Sequence, residues 1–253
     1  MSAGRPRTGR VGANSTPAGD LKERLTRLDW AALHRSLEQW GYAHTEPVLS
    51  PSECTGLVSM FREDAHFRSR ISMERYRFGV GDYAYFADPL PPLVRDLRTH
   101  AYPHLVPVAN RWMEVLGETH RYPASLGGFL KRCHEAGQTR PTPLLLRYTQ
   151  DGYNCLHQDL YGPLVFPLQL TVFLSRPGVD YDGGAFLLVE QHPRQQSRGE
   201  VVVPGQGEML IFPSDARPVK GTRGWYRAHT RHGVSRITGG DRYTLGIIFH
   251  DAE

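Results

Sequence analysis

The chain has 253 residues, enough for a sizeable core in one large domain. Hydrophobic residues are 40% and charged residues 22%, the proportions of an ordinary globular protein, and no apolar run reaches the roughly 18 residues of a membrane-spanning helix. A net charge of +4 gives a mild bias toward anionic partners, nucleic acid among them.

Residues 1–19 lack an apolar h-region, so no secretory signal is expected. Arg5, Arg7 and Arg10 lie there among Gly, Ser, Pro and Thr, which reads as a disordered basic arm. Cys54, Cys133 and Cys155 are odd in number and show no paired spacing. Structural disulfides are not expected, and a reducing cytoplasm fits. One ordered domain is expected over 20–253, helical over 20–142 and β over 143–253.

Leu21, Leu25 and Leu28, then Trp30, Leu33, Leu37 and Trp40, recur at helical spacing and predict one helix ending at Gly41. Tyr42 to Leu49 reads as a short strand. Ser50-Pro51-Ser52-Glu53 predicts a helix start with Ser50 as N-cap and Glu53 closing a capping box. Residues 66–92 interleave Arg68, Arg70, Arg75 and Arg77 with Tyr76, Phe78, Tyr83, Tyr85 and glycine. They read as a long loop, either packed on the β half or stacking on bases and pairing with phosphates. The helical pattern from Leu93 to Leu116 is expected to break at Pro103 and Pro107. Another helix is predicted over Ala124 to Ala136.

From Pro143 the texture becomes β. Strands are predicted from Leu144, over Phe166 to Ser175, Ala185 to Glu190, Glu200 to Val203, Glu208 to Phe212, Trp225 to Val234 and Arg242 to Phe249. Asp180 to Gly184 and Thr238 to Asp241 read as turns. Short strands at regular spacing with Gly/Pro turns predict an α+β protein, a jelly-roll (double-stranded β-helix) core flanked by N-terminal helices.

His157 and Asp159 are two apart, so on an extended strand they point to one side. Two ligands do not hold a metal, and His232 is the best third candidate; His229, three residues away on the same strand, faces the other way. Two His and one carboxylate occupy one face of an octahedral ion and leave three positions open, the pattern of non-haem Fe(II) oxygenases. The open positions take a 2-oxo acid and O₂. A dicarboxylate cosubstrate also needs a cation at its far end, and Arg242 offers a two-pronged guanidinium. Tyr148 adds a hydroxyl. Asn154, beside the metal strand, reads as a contact to cosubstrate or substrate, or as a strand-edge residue.

The segment from Leu144 onward resembles the Fe(II)/2-oxoglutarate dioxygenase superfamily. Arg147-Tyr148, Gly152 and Leu156-His157-Gln158-Asp159 look like the corresponding strand of AlkB-type nucleic-acid demethylases. Gly183-Gly184, Gly207 to Phe212 and His232-Gly233-Val234 through Arg242-Tyr243 look more like the prolyl-hydroxylase pattern. Nearly the whole chain after the arm is similar to a bacterial family of 2-oxoglutarate oxygenases described as acting on damaged, methylated DNA. The matching stretches include Phe67-Arg68-Ser69-Arg70, Tyr83 to Phe86, Arg132 to Pro143, Tyr153 to Gly162 and Gly246 to Asp251. Leu146 and Ile248 depart from the AlkB-type pattern, which has asparagine and arginine at those places. The resemblance implies Fe(II) on His157, Asp159 and His232, with 2-oxoglutarate on Arg242, Tyr148 and Asn154. It further implies decarboxylation to succinate and CO₂, coupled to hydroxylation or oxidative demethylation. Substrate selection is expected from residues 67–86 and the loop with Gln191, Gln195 and Gln196. The expected partner is damaged or methylated DNA. Alternatives are the same chemistry on a protein side chain or small metabolite, and a non-catalytic metal-binding jelly-roll module.

Overall fold

The computed structural model describes residues 17–253; the basic residues of the N-terminal arm lie outside them. In chain order the helical part opens with α1 (Leu21–Arg27), α2 (Trp30–Trp40), β1 (Ala43–His44) and α3 (Pro51–Met60), then a single 3₁₀ turn at Asp64–His66. It continues with β2 (Phe67–Ser72), α4 (Met73–Tyr76), β3 (Gly79–Val80), β4 (Asp82–Phe86), α5 (Pro92–Val115) and α6 (Leu126–Glu135). The β half holds β5 (Leu144–Tyr148), β6 (Tyr153–His157), β7 (Leu168–Phe173), β8 (Tyr181–Gly183), β9 (Phe186–Gln191) and β10 (Arg198–Val202). It ends with β11 (Met209–Pro213), β12 (Ala216–Gly221), β13 (Gly224–Val234), β14 (Ile237–Gly240) and β15 (Arg242–Ile247). No helix among the described residues is long and apolar enough to cross a membrane.

Two antiparallel sheets face each other. The larger runs β1-β11-β7-β15-β5-β4-β2; the smaller runs β10-β9-β13-β6-β3, with β12 paired to β13. The helices cover the outer face of the larger sheet. Leu170, Val172, Leu245 and Ile247 from that face share one core with Leu25, Leu97, Leu105 and Trp112. Between the sheets lies a second cluster, Phe173, Phe186, Leu188, Leu210 and Phe212. The strands β7 and β11 therefore serve two interiors, one per alternate residue.

Four expectations change. The single helix over Leu21 to Trp40 is two helices, because Leu28 is extended and Asp29 begins anew, its carboxylate accepting from the Ala32 N–H at 2.9 Å. The helix Pro92–Val115 runs unbroken through Pro103 and Pro107. Both prolines are exposed, so the carbonyls they release face water, while Ala101, Tyr102, Leu105, Val108 and Trp112 bury the opposite face. That burial outweighs a local penalty of about 3 kcal/mol per interior proline. Residues 66–92 are not a long loop. The alternation of Phe67–Ser72 is that of a strand, and β2 and β4 extend the larger sheet beyond β5. The predicted turns at Asp180 to Gly184 and Thr238 to Asp241 pair as β8 and β14. The capping box at Ser50 is present as expected, with Glu53 also paired to Arg24 at 2.6 Å.

Candidate active site

The two histidines meet by register. His157 ends β6 and lies directly opposite His232 on β13, with ring centroids 4.2 Å apart. The pairing shifts between His232 and Val234. Gly233 sits at this shift, where a Cβ would come within 2.7 Å of the Asn154 carbonyl oxygen. A larger residue would push β13 from β6 and separate the histidines.

Asp159 is not on the strand. It lies two residues past the end of β6, and the turn brings its carboxylate back: Oδ2 is 3.1 Å from His232 Nε2 and Oδ1 is 3.7 Å from His157 Nε2. Candidate ligand atoms of the three residues lie within 4.8 Å of one another. The turn is tied down by Gln158, whose amide donates to the Asp215 carboxylate and to the backbone oxygens of Asp215 and Thr230. Tyr161 donates its hydroxyl to Asp159 Oδ1 at 2.8 Å and accepts from Tyr85 at 2.9 Å.

Protonation suits a cation. Burial and the neighbouring His157 push the His232 imidazolium down, against the hydrogen bond and charge of Asp159. Burial alone would raise the Asp159 carboxyl, but the hydrogen bond and charge of the adjacent histidines hold it well below the ordinary carboxylate range. His157 Nδ1 donates to the Cys155 carbonyl at 2.8 Å, which turns Nε2 toward the group. Two imidazoles and one carboxylate form the donor set that suits Fe(II).

The three residues open on a cavity of about 430 Å³ that also meets Arg242, Tyr148 and Asn154. Arg242 is 1% exposed, and none of its three guanidinium nitrogens finds a hydrogen-bond acceptor among the described residues. Instead its guanidinium sits 5.2 to 5.9 Å from the ring centres of Phe173, Tyr148 and Tyr181. A buried cation without an anion costs several kcal/mol. A carboxylate entering the cavity removes that cost and accepts two of the nitrogens at once. Tyr148 faces Arg242 across the β5–β15 register, and its hydroxyl accepts from Asn154 Nδ2 at 3.1 Å. Asn154 therefore orients Tyr148.

Two residues near the site went unseen in the sequence. Tyr181 is buried beside Arg242, its ring centre 5.9 Å from the guanidinium; it lies in a segment that reads as a turn. Tyr161 falls in the family-like stretch Tyr153 to Gly162, where only its place two residues after Asp159 hints at a role. In the other direction, the glutamine loop does not reach the cavity. Gln191 donates to the carbonyls of His192 and Gln195 within its own loop.

Residues 81–252, more than half of the chain, match the model of the Oxygenase-NA family, described as oxygenases catalysing oxidative methylation of damaged DNA. The chain belongs to this oxygenase family. It is 50% identical over 167 residues to the uncharacterized protein Rv2227 of Mycobacterium tuberculosis (strain H37Rv), a stretch of 66% of this chain and 72% of that one. The protein MT2286 of strain CDC 1551 matches equally. Among solved structures, a Pseudomonas putida prolyl-4-hydroxylase superposes with a TM-score of 0.53 at 14% identity, over 88% of this chain and 100% of that one. The non-heme alpha ketoglutarate dependent epimerase SnoN from nogalamycin biosynthesis does so with 0.54 at 15% identity, over 86% and 80%. These likenesses show the fold: the oxygenase has the jelly roll of the Fe(II)/2-oxoglutarate enzymes, and its His–Asp–His group fits an iron site.

Proposed function

We propose that this oxygenase holds Fe(II) on His157, Asp159 and His232, and 2-oxoglutarate on Arg242, and that it oxidises a methyl group on modified nucleic acid. The observation that carries the reading is the bare Arg242 guanidinium in the same cavity as the His–Asp–His group. A structural metal site or a binding module needs no buried cation aimed at a second ligand.

Fe(II) and 2-oxoglutarate, when bound with O₂, supply the oxidising power for a C–H bond while the oxo acid becomes succinate and CO₂. The chain supplies placement. Nitrogens of His157 and His232 and a carboxylate oxygen of Asp159 would hold the ion. Tyr161 donates to the other oxygen, which would favour coordination through one carboxylate oxygen. Arg242 takes the far carboxylate of the oxo acid, with the rings of Tyr148 and Tyr181 beside it. Phe186 and Phe212 pack against the His232 ring and keep water from that side.

The family description names damaged DNA, and that supports a nucleic-acid substrate. The test is succinate formation by the iron-loaded protein. Methylated oligonucleotides are expected to stimulate it and peptides are not. Stimulation by a peptide or a metabolite, with oligonucleotides inert, overturns the substrate class. Asp159→Ala is expected to abolish turnover with every substrate; retained turnover overturns the metal assignment.

A further inference from the structure

We infer that Tyr76 and Phe78, with Arg75 and Arg77, form the platform on which a single nucleic-acid strand stacks at the mouth of the cavity. This rests on the nucleic-acid reading above and names the residues that grip the strand. Tyr76 and Phe78 are 48% and 49% exposed, far more than a folded protein leaves aromatic rings that serve its core. Their rings are stacked, 18° from parallel with centroids 5.7 Å apart. The Arg75 guanidinium lies over the Tyr76 ring at 5.7 Å. Phe78 and Arg77 line the cavity that holds the metal group. Leu156, one residue before His157, lines it too and is also exposed.

The platform is fixed relative to that group. The Phe78 N–H donates to the Met73 carbonyl at 3.0 Å, and the Phe78 carbonyl accepts from the Cys155 N–H at 2.8 Å. Cys155 precedes His157 by two residues on β6. Gly79 pairs with Asn154 on the same strand; with φ +143° and a Cβ position 2.2 Å from the Tyr153 carbonyl oxygen, only glycine allows that approach. A base lying on Phe78 is thus held at a set distance from His157.

Charge selects the occupant. Arg75 and Arg77 form no ion pair with a described carboxylate, and Glu74 is the sole acid over residues 73–81. The order Arg-Tyr-Arg-Phe alternates cations for phosphates with faces for bases, the combination that binds single strands without reading sequence. His232, on the wall of that cavity, is only 7% exposed. A methylated base reaches His232 only when it is out of a duplex stack.

The test uses a short single-stranded oligonucleotide with one N-methylated adenine beside a 2-aminopurine. The protein is loaded with Fe(II) and 2-oxoglutarate and kept free of O₂. Wild type is expected to change the 2-aminopurine emission on binding and to hold this strand more tightly than its duplex. Tyr76→Ala/Phe78→Ala is expected to weaken binding about ten-fold or more and to remove the emission change. Tyr76→Trp keeps a ring and is expected to bind like wild type, with its own emission quenched by the strand, which separates stacking from misfolding. Unaltered affinity and emission in the double alanine variant overturn the platform and leave the nucleic-acid reading standing. Failure of wild type to bind any oligonucleotide overturns both.

Discussion

The two faces of β7, β15 and β5 use the same backbone for opposite ends. Outward, Leu170, Val172, Leu145, Leu245 and Ile247 are fully buried against the helices. Inward, the same three strands point Gln169, Thr171, Tyr148, Arg242 and Thr244, which line the cavity. The outer face needs only volume and apolar surface. The inner face keeps polar groups without partners, the Gln169 amide nitrogen and the whole Arg242 guanidinium. Alternation along one strand thus separates stability from function by a single residue step.

The largest effect that sharpens this contrast is on the outer face. Leu245→Ala is expected to cost about 2–5 kcal/mol of unfolding free energy, read by urea denaturation. Its folded fraction should bind 2-oxoglutarate like wild type. On the inner face, Arg242→Met is expected to weaken 2-oxoglutarate binding about a hundred-fold, because charge-assisted hydrogen bonds contribute roughly 1.5–3 kcal/mol. The same variant should unfold at a higher temperature than wild type in the absence of ligand, since it removes a buried cation with no partner. A loss of stability like that of Leu245→Ala breaks the contrast, because Arg242 would then be holding the fold.

The next effect is on pH. His250 is buried behind the inner face, and burial, then the positive Arg98, pushes its imidazolium down to about 4. The folded value lies below the unfolded one, near 6.5. The native state is therefore fully favoured above pH 6.5 and loses stability as pH falls from 6.5 toward 4, by on the order of 2 kcal/mol. Urea midpoints between pH 7.5 and 4.5 are expected to fall in wild type and to fall less in His250→Asn. Equal slopes would show that other groups carry the acid sensitivity.

Much of this site was legible in the sequence because its residues sit on strands of strong pattern. His157, His232, Arg242 and Tyr148 were all placed on strands, and strand register alone brings His157 to His232 and Tyr148 to Arg242. Two kinds of information were not. Tyr181 stands in a three-residue strand whose partner β14 is more than 50 residues along the chain, and glycine-rich pairs of that length read as turns. The continuous helix through Pro103 and Pro107 depends on which face is buried, a tertiary fact that local propensity cannot supply. The excursion over residues 67–86 falls between: its alternating pattern was visible, but its attachment to β5 and β6 was not.

The smallest expected effect tests how finely the inner face is built. Asp159 has two oxygens: one is 3.1 Å from His232, and the other accepts from Tyr161. Burial and the Asp159 charge push the Tyr161 hydroxyl well above its usual titration range, so it remains a donor throughout the working pH range. Tyr85 donates to Tyr161 in turn, and the Arg68 guanidinium covers the Tyr85 ring at 4.6 Å. Tyr161→Phe removes one hydrogen bond and leaves the ring in place. It is expected to lower affinity for Co(II), a spectroscopic substitute for Fe(II), by about 10–100-fold, the usual cost of losing a partner that orients a ligand. The Co(II) absorption should also change, because the freed oxygen can reach the ion and raise its coordination number. Lower affinity with an unaltered spectrum would mean that Tyr161 holds the turn in place without restricting the carboxylate to one oxygen. Unaltered affinity and spectrum together would leave the placement of Asp159 to Gln158 alone, through its three hydrogen bonds to Asp215 and Thr230.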